Sequence, residues 1–380
     1  MPLRLETQLE PRSLARADVN SDGIDDLIAA NRSSNSVSVF LGSSGGSFGP
    51  PMNFGSTRFD FRGPSAVVVD DFDEDGHPDI AVALEGSDNL IVLRGSGDGT
   101  FEFPDRFGGR AVGDRPRSML GGDFDGDGRE DLVVVNSRSD NIFLLFGNGD
   151  ASFGDPSLPL TLSTFPDYVA VGDFNADGQD DLAVSYFYGG LSVLLGQGDG
   201  KFGPEDLFNV GWNPTFVATG DFNKDGRVDL AVTSSALLSE YDGGFVSPLL
   251  GNGVGEFFNP PYHSPAGNYP VSLAVADLDG DGVQDLAVAN YGGFDSIPDT
   301  VSILHGLGDG TFANKAGFGG ITVGDTPVSV AVADVNGDGK KDLAVANAGR
   351  FVPGNRSIRG IDLNSWLSGT STAIRNPIWQ

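Results

Sequence analysis

Residues 270–290 read PVSLAVADLDGDGVQDLAVAN, and residues 327–347 repeat the string with few changes as PVSVAVADVNGDGKKDLAVAN. At the centre of both lies Asp-x-Asp/Asn-x-Asp-Gly-x-x-Asp, flanked on either side by short apolar runs. The same nine-residue pattern begins at Asp18, Asp71, Asp123, Asp173, Asp221, Asp277 and Asp334, with gaps of 53, 52, 50, 48, 56 and 57 residues. A period near 50 residues is the mark of a repeat architecture, in which each unit buries its apolar face only against its neighbours.

Each copy carries more than the acidic loop. A proline stands seven residues upstream in every case: Pro11, Pro64, Pro116, Pro166, Pro214, Pro270 and Pro327. The segment between proline and loop reads as a first strand, which proline can precede but not occupy centrally. Small residues close it (Ala17, Gly122, Gly172, Gly220, Ala276, Ala333, with Asp70 the exception), as suits an innermost strand crowded around an axis. A second strand follows the loop, such as Leu286 to Ala289. A variable connection leads to a third, such as Leu191 to Leu195, which ends in a glycine-rich turn and a phenylalanine: Gly42 to Phe48, Gly95 to Phe101, Gly147 to Phe153, Gly196 to Phe202, Gly251 to Phe257 and Gly306 to Phe312.

With a weaker fourth strand, four antiparallel strands repeated seven times predict an all-β, seven-bladed propeller. A parallel β-helix has shorter rungs and lacks the hairpin signal. The expected propeller spans residues 1–350. Leu3 to Leu9 sits where a fourth strand belongs, and Ser357 to Leu363 is the one later segment resembling a third strand, so the N-terminal strand is expected to complete the last blade. Residues 351–380 form an atypical C-terminal segment containing Trp366 and Trp379.

The loops read as cation sites. Positions 1, 3, 5 and 9 offer side-chain oxygens, position 7 a backbone carbonyl, and position 6 is always glycine, which permits a sharp turn around an ion. The ligand sets are Asp18, Asn20, Asp22, Ile24 and Asp26 (loop 18–26); Asp71, Asp73, Asp75, His77 and Asp79 (71–79); Asp123, Asp125, Asp127, Arg129 and Asp131 (123–131); and Asp173, Asn175, Asp177, Gln179 and Asp181 (173–181). The remaining three are Asp221, Asn223, Asp225, Arg227 and Asp229 (221–229); Asp277, Asp279, Asp281, Val283 and Asp285 (277–285); and Asp334, Asn336, Asp338, Lys340 and Asp342 (334–342). The variety at position 7 is what a backbone ligand permits. An EF-hand would need a Glu at position 12 on a helix, but that position holds Ala29, Val82, Val134, Val184, Val232, Val288 and Val345, within strand-like runs. A lone Asp-Gly turn is a common hairpin connector without metal; seven copies with four oxygen positions filled in each point to Ca2+, up to seven ions. Magnesium demands stricter octahedral geometry.

The formal charge of −30 argues against nucleic acid or anionic lipid as a partner. With no cysteine, disulfides and thiolate chemistry are excluded. No stretch is long and apolar enough to insert in a membrane, and no apolar region follows Met1 as a secretory signal would require.

On these loops and hairpins, from about residue 3 to 347, the chain resembles the FG-GAP, or VCBS-type, repeats of the integrin α propeller and many bacterial extracellular proteins. The resemblance implies calcium loops on the face opposite the ligand-binding surface. It also implies an extracellular or cell-surface location, a glycan or extracellular protein as ligand, and a role in recognition or adhesion. A monomeric propeller, or one module of a larger protein, is expected.

The connections between the second and third strands, and between the fourth and the next first strand, vary most and are where a rigid scaffold presents function. Candidate ligand-face residues are Arg62, Arg115, Tyr186, Tyr188, Trp212, Tyr241, Tyr269, Tyr291 and Phe294; aromatic side chains here suit sugar stacking or protein hot spots, or pack beneath long loops. No catalytic residue is assigned. His77, His263 and His305 show no partner at a spacing that suggests a base or a transition-metal site. The enzyme alternative is a calcium-dependent, polysaccharide lyase-like propeller, with Tyr269 or Tyr291 as the nearest proton acceptors, and rests on fold analogy alone.

Overall fold

The computed structural model describes residues 3–55, 60–104, 109–154, 159–162, 165–235, 243–259, 263–292, 298–314, 320–335, 339–349 and 360–364. Tyr241, Phe294, Asn336, Asp338 and both tail tryptophans lie outside the described residues. Among the described residues there is no helix; the chain is an all-β propeller.

Six sheets are each built from one contiguous stretch, in the order expected of a blade. The first pairs Pro11–Ala17, Asp26–Asn31, Ser36–Phe40 and Met52–Phe54 antiparallel, each strand with the next. The others begin at Pro64, Pro116, Pro166, Pro214 and Pro270. Six self-contained blades is one fewer than the sequence predicts, because the remaining repeat is completed by a strand from the other end of the chain. After Pro327 the chain supplies Pro327–Ala333 and Asp342–Asn347, which pair antiparallel. Gly360–Asn364 lies beside Asp342–Asn347, and Leu3–Leu5 pairs with Gly360–Asn364 through Leu3↔Leu363 and Leu5↔Ile361, so this sheet draws on both ends of the chain.

The first strands line the axis. Each packs against the first strand of the next sheet, and Pro327–Ala333 packs against Pro11–Ala17, closing the ring. Side chains of several first strands, among them Leu14, Ala66, Met119 and Val217, line an axial cavity of about 400 Å³. The second strands are sandwiched between blades and buried along their whole length, as in the six residues of Asp131–Asn136. That explains their unbroken apolar runs where a half-exposed strand would alternate.

Each repeat proline is the first residue of its strand, with a register shift immediately after it, as between Pro166 and Tyr168. The preceding residue is left-handed in every copy: Glu10, Gly63, Arg115, Phe165, Asn213, Tyr269 and Thr326 have φ between +48° and +61°.

Candidate metal centres and the opposite face

The loops between first and second strands share one geometry. The position-6 glycines Gly23, Gly76, Gly128, Gly178, Gly226, Gly282 and Gly339 all have φ between +79° and +89°, a conformation costly for any residue with a Cβ. Each donates its N–H to Oδ2 of the first Asp, from 2.7 Å in Gly23–Asp18 to 3.0 Å in Gly128–Asp123. Position 7 donates to the position-5 carboxylate, as in Gln179 to Asp177 Oδ1 at 2.9 Å. A carboxylate oxygen that accepts one of these N–H groups keeps a further lone pair for a cation.

Position 9 is a buried staple. Asp131 Oδ2 accepts the N–H of Phe124 at 3.0 Å, and its Oδ1 accepts the N–H of Gly147, at the end of the third strand, at 2.8 Å. Asp26, Asp79, Asp181, Asp229 and Asp285 make the same two bonds to Val19 and Gly42, Phe72 and Gly95, Phe174 and Gly196, Phe222 and Gly251, and Leu278 and Gly306. Burial pushes the carboxyls of Asp26, Asp79, Asp131, Asp181 and Asp229 up to about 6; the N–H bonds oppose the shift and neighbouring loop carboxylates add to it. Charges held at such cost are what a dication would compensate, so these residues fit a bound metal. Donor atoms converge within 4.8 Å in Asp71/Asp73/Asp79, in Asp123/Asp125/Asp127 and in Asp277/Asp279/Asp281.

The same loops join blade to blade. The carbonyls of Val19, Phe72, Phe124, Phe174 and Phe222 accept N–H bonds of 2.9–3.1 Å from Gly99, Ala151, Gly200, Gly255 and Gly310, in the glycine-rich turn of the next blade. The position-2 ring also meets that turn's phenylalanine edge-on, as in Phe72–Phe153 (centroids 5.9 Å), Phe174–Phe257 (5.5 Å) and Phe222–Phe312 (5.1 Å).

On the other face, all seven left-handed residues before the prolines accept, through their carbonyls, an N–H from the first residue past the second strand at 2.8–3.1 Å; Phe187 to Phe165 and Tyr291 to Tyr269 are examples. This lock brings the two variable connections together. Arg115 Nε lies 2.8 Å from Glu85, which also holds Arg32 at 2.9 Å. Arg117 pairs with buried Asp167. These residues border a cavity of about 760 Å³ with Arg138 and the rings of Phe165, Phe187 and Tyr188, the last edge-on to each of the other two. All three rings are exposed, Tyr188 most at 63%.

Of the ligand-face candidates, Trp212 and Tyr269 are exposed, and the Tyr291 ring lies 6.4 Å from Tyr269. Arg62 is exposed and paired with Asp60 at 2.6 Å. Tyr186 is a correction: as the last residue of a second strand it is buried, with its hydroxyl 2.7 Å from Ser192 Oγ. Phe165 was missed, although it precedes a proline just as Arg115 and Tyr269 do. His305 is a second correction. It is 3% exposed, and its Nδ1 lies 3.2 Å from Asp279 Oδ2 and 3.6 Å from Asp285 Oδ1. His263 instead faces Ser247 Oγ at 2.9 Å.

Comparison with known proteins agrees with this architecture. Residues 18–82, 71–134, 123–184, 173–232 and 284–345 each match the FG-GAP-like repeat. Human integrin alpha-7 is 34% identical over 137 residues, a stretch that is 32% of this chain and 12% of the integrin. Among solved structures, BBS1N in complex with ARL6DN, soaked with mercury, superposes with a TM-score of 0.59 at 13% identity over 97% of this chain and 98% of that one. The lead-soaked form of the same complex gives 0.57 at 14% identity, over 96% and 94%. At such identities the likeness is one of fold. The repeated match over most of the chain decides the family: this protein belongs to the FG-GAP-like repeat proteins.

Proposed function

We propose that the chain is a non-catalytic, calcium-bound propeller of seven blades, the composite sheet being the seventh, which recognises a glycan or protein ligand outside the cell or at its surface. The observation that carries the recognition role is the division of labour between the two faces. One face repeats a single acidic loop that ties neighbouring blades together. The other departs from the repeat and gathers exposed Phe165, Phe187 and Tyr188 beside an arginine-lined cavity.

Exposed aromatic rings with arginine are the side chains that dominate binding energy at interfaces, and they also stack on sugar rings. Resemblance to the integrin α propeller supports a recognition or adhesion role and an extracellular or surface setting. Calcium is supported by the all-oxygen donor sets, which suit a hard cation of flexible coordination.

The experiment is binding of the calcium-loaded chain to a glycan array and to candidate extracellular proteins, followed by a product assay on every hit. Saturable binding without bond cleavage is expected; cleavage of a bound saccharide would replace this reading with the lyase-like alternative.

A further inference from the structure

The residue just before the glycine that caps each position-9 carboxylate is Leu41, Arg94, Phe146, Leu195, Leu250 or His305. In four of these copies an apolar side chain lies over a glycine of the next blade's turn: Leu41 over Gly99, Phe146 over Gly200, Leu195 over Gly255 and Leu250 over Gly310. His305 instead turns into its own acidic loop. Its ring nitrogen and the carboxylate oxygens of Asp279 and Asp285 all lie within 4.8 Å of one another, and Asp279 also belongs to the convergent set Asp277/Asp279/Asp281.

We infer that the sixth loop is a first-row transition-metal site, of zinc type, built from His305, Asp279 and Asp285 with Asp277 and Asp281 beside them. The inference rests on the reading that the loops hold cations, and it goes beyond calcium. Two donors each at about 2.1 Å from one ion stand about 3.0 Å apart at a right angle and about 3.4 Å apart at the tetrahedral angle. The spacings here, 3.2 and 3.6 Å, are close to those values. Calcium takes oxygen donors, whereas imidazole nitrogen suits zinc, copper, iron and nickel. Burial of the ring at 3% exposure keeps it turned towards the carboxylates and away from water. The competing arrangement is an imidazolium lying between Asp279 and Asp285, which would supply the positive charge itself and exclude a metal.

The test strips the full chain with chelator, reloads it in millimolar calcium with micromolar zinc or cobalt(II), and measures bound metals by atomic emission. The cobalt form is also read by its visible absorption. One zinc or cobalt per chain is expected, held against the calcium excess. His305→Leu, the residue of three other copies at this place, is expected to weaken retention by at least about tenfold, the least that losing even a supporting residue costs. His263→Gln should retain the metal. His305→Gln serves as a second variant should His305→Leu fail to fold. Failure to retain zinc or cobalt while calcium still binds overturns this inference alone, as does equal retention in both His305 variants. Failure to bind any cation overturns the calcium reading as well.

Discussion

Gly200 donates its N–H to the carbonyl of Phe124, across the boundary between two blades, at 3.0 Å. The N–H of the same Phe124 is held by Asp131, so one peptide segment ties an acidic loop to its own third strand and to the next blade's hairpin. Gly200 has φ +73°, and a Cβ there would meet the Phe146 ring at 2.3 Å. Blade three has Ala151 at the equivalent position, φ +57°, opposite the flexible Arg94. Gly200→Ala should therefore destabilise the protein by about 2 kcal/mol or more, from left-handed strain plus overpacking. Ala151→Gly should stay within about 1 kcal/mol of the parent. Urea unfolding of both variants checks the contrast.

Removing calcium should lower the melting temperature sharply. At free calcium 100 times the dissociation constant each filled loop contributes about 2.7 kcal/mol. Calorimetry with and without chelator measures it, and coincident transitions would refute the calcium sites.

Asp131→Ala should destabilise the protein even in chelator, because it leaves the buried N–H of Phe124 without its acceptor, at about 1–3 kcal/mol, and the half-buried N–H of Gly147 as well. A loss seen only in calcium would mean that Asp131 acts solely as a ligand.

The calcium-free protein should become more stable as pH falls from 7 towards 5. The five position-9 carboxyls raised to about 6 sit above their ordinary value of 3.8, so between these limits the folded state binds more protons than the unfolded chain. Their destabilising ionisation is complete above pH 6 and is relieved as pH drops through it. Burial and the nearby Asp70 push Glu130 up to about 7, in the same direction. A rise on the order of 5 °C in chelator, and a flatter profile in calcium, is the expected result of a pH series of melts.

Tyr188→Ala should weaken ligand binding by about 2 kcal/mol, as loss of an exposed aromatic anchor does, and leave the melting temperature unchanged. Tyr186→Phe should do the reverse, since its hydroxyl bonds Ser192 within the core. Titration of a ligand found on the array, beside melts of both variants, separates the two tyrosines.

Tyr186 and Tyr188 show why the ligand face was only half legible in the sequence. Both stand in one aromatic run, and which of them faces solvent depends on where the second strand ends and which blade covers it. Trp212 and Tyr269 could be read because they are aromatics in the variable connections that lead to Pro214 and Pro270, and such corners recur in every blade. Phe165, directly before Pro166, lies in such a connection as well.

The repeat by itself determined the strands, the acidic loops and the glycine at position 6. These are local properties: apolar runs, a positive-φ turn and proline placement act within a few residues of chain. Tertiary structure alone decided that Asp131 closes on Gly147 and that His305 enters the loop of Asp279, whereas the pairing of Leu3–Leu5 with Gly360–Asn364 is already expected from the repeat register. The first two contacts each lie within one blade, joining residues 16 and 26 positions apart, and they form only once that blade's first three strands have paired in register.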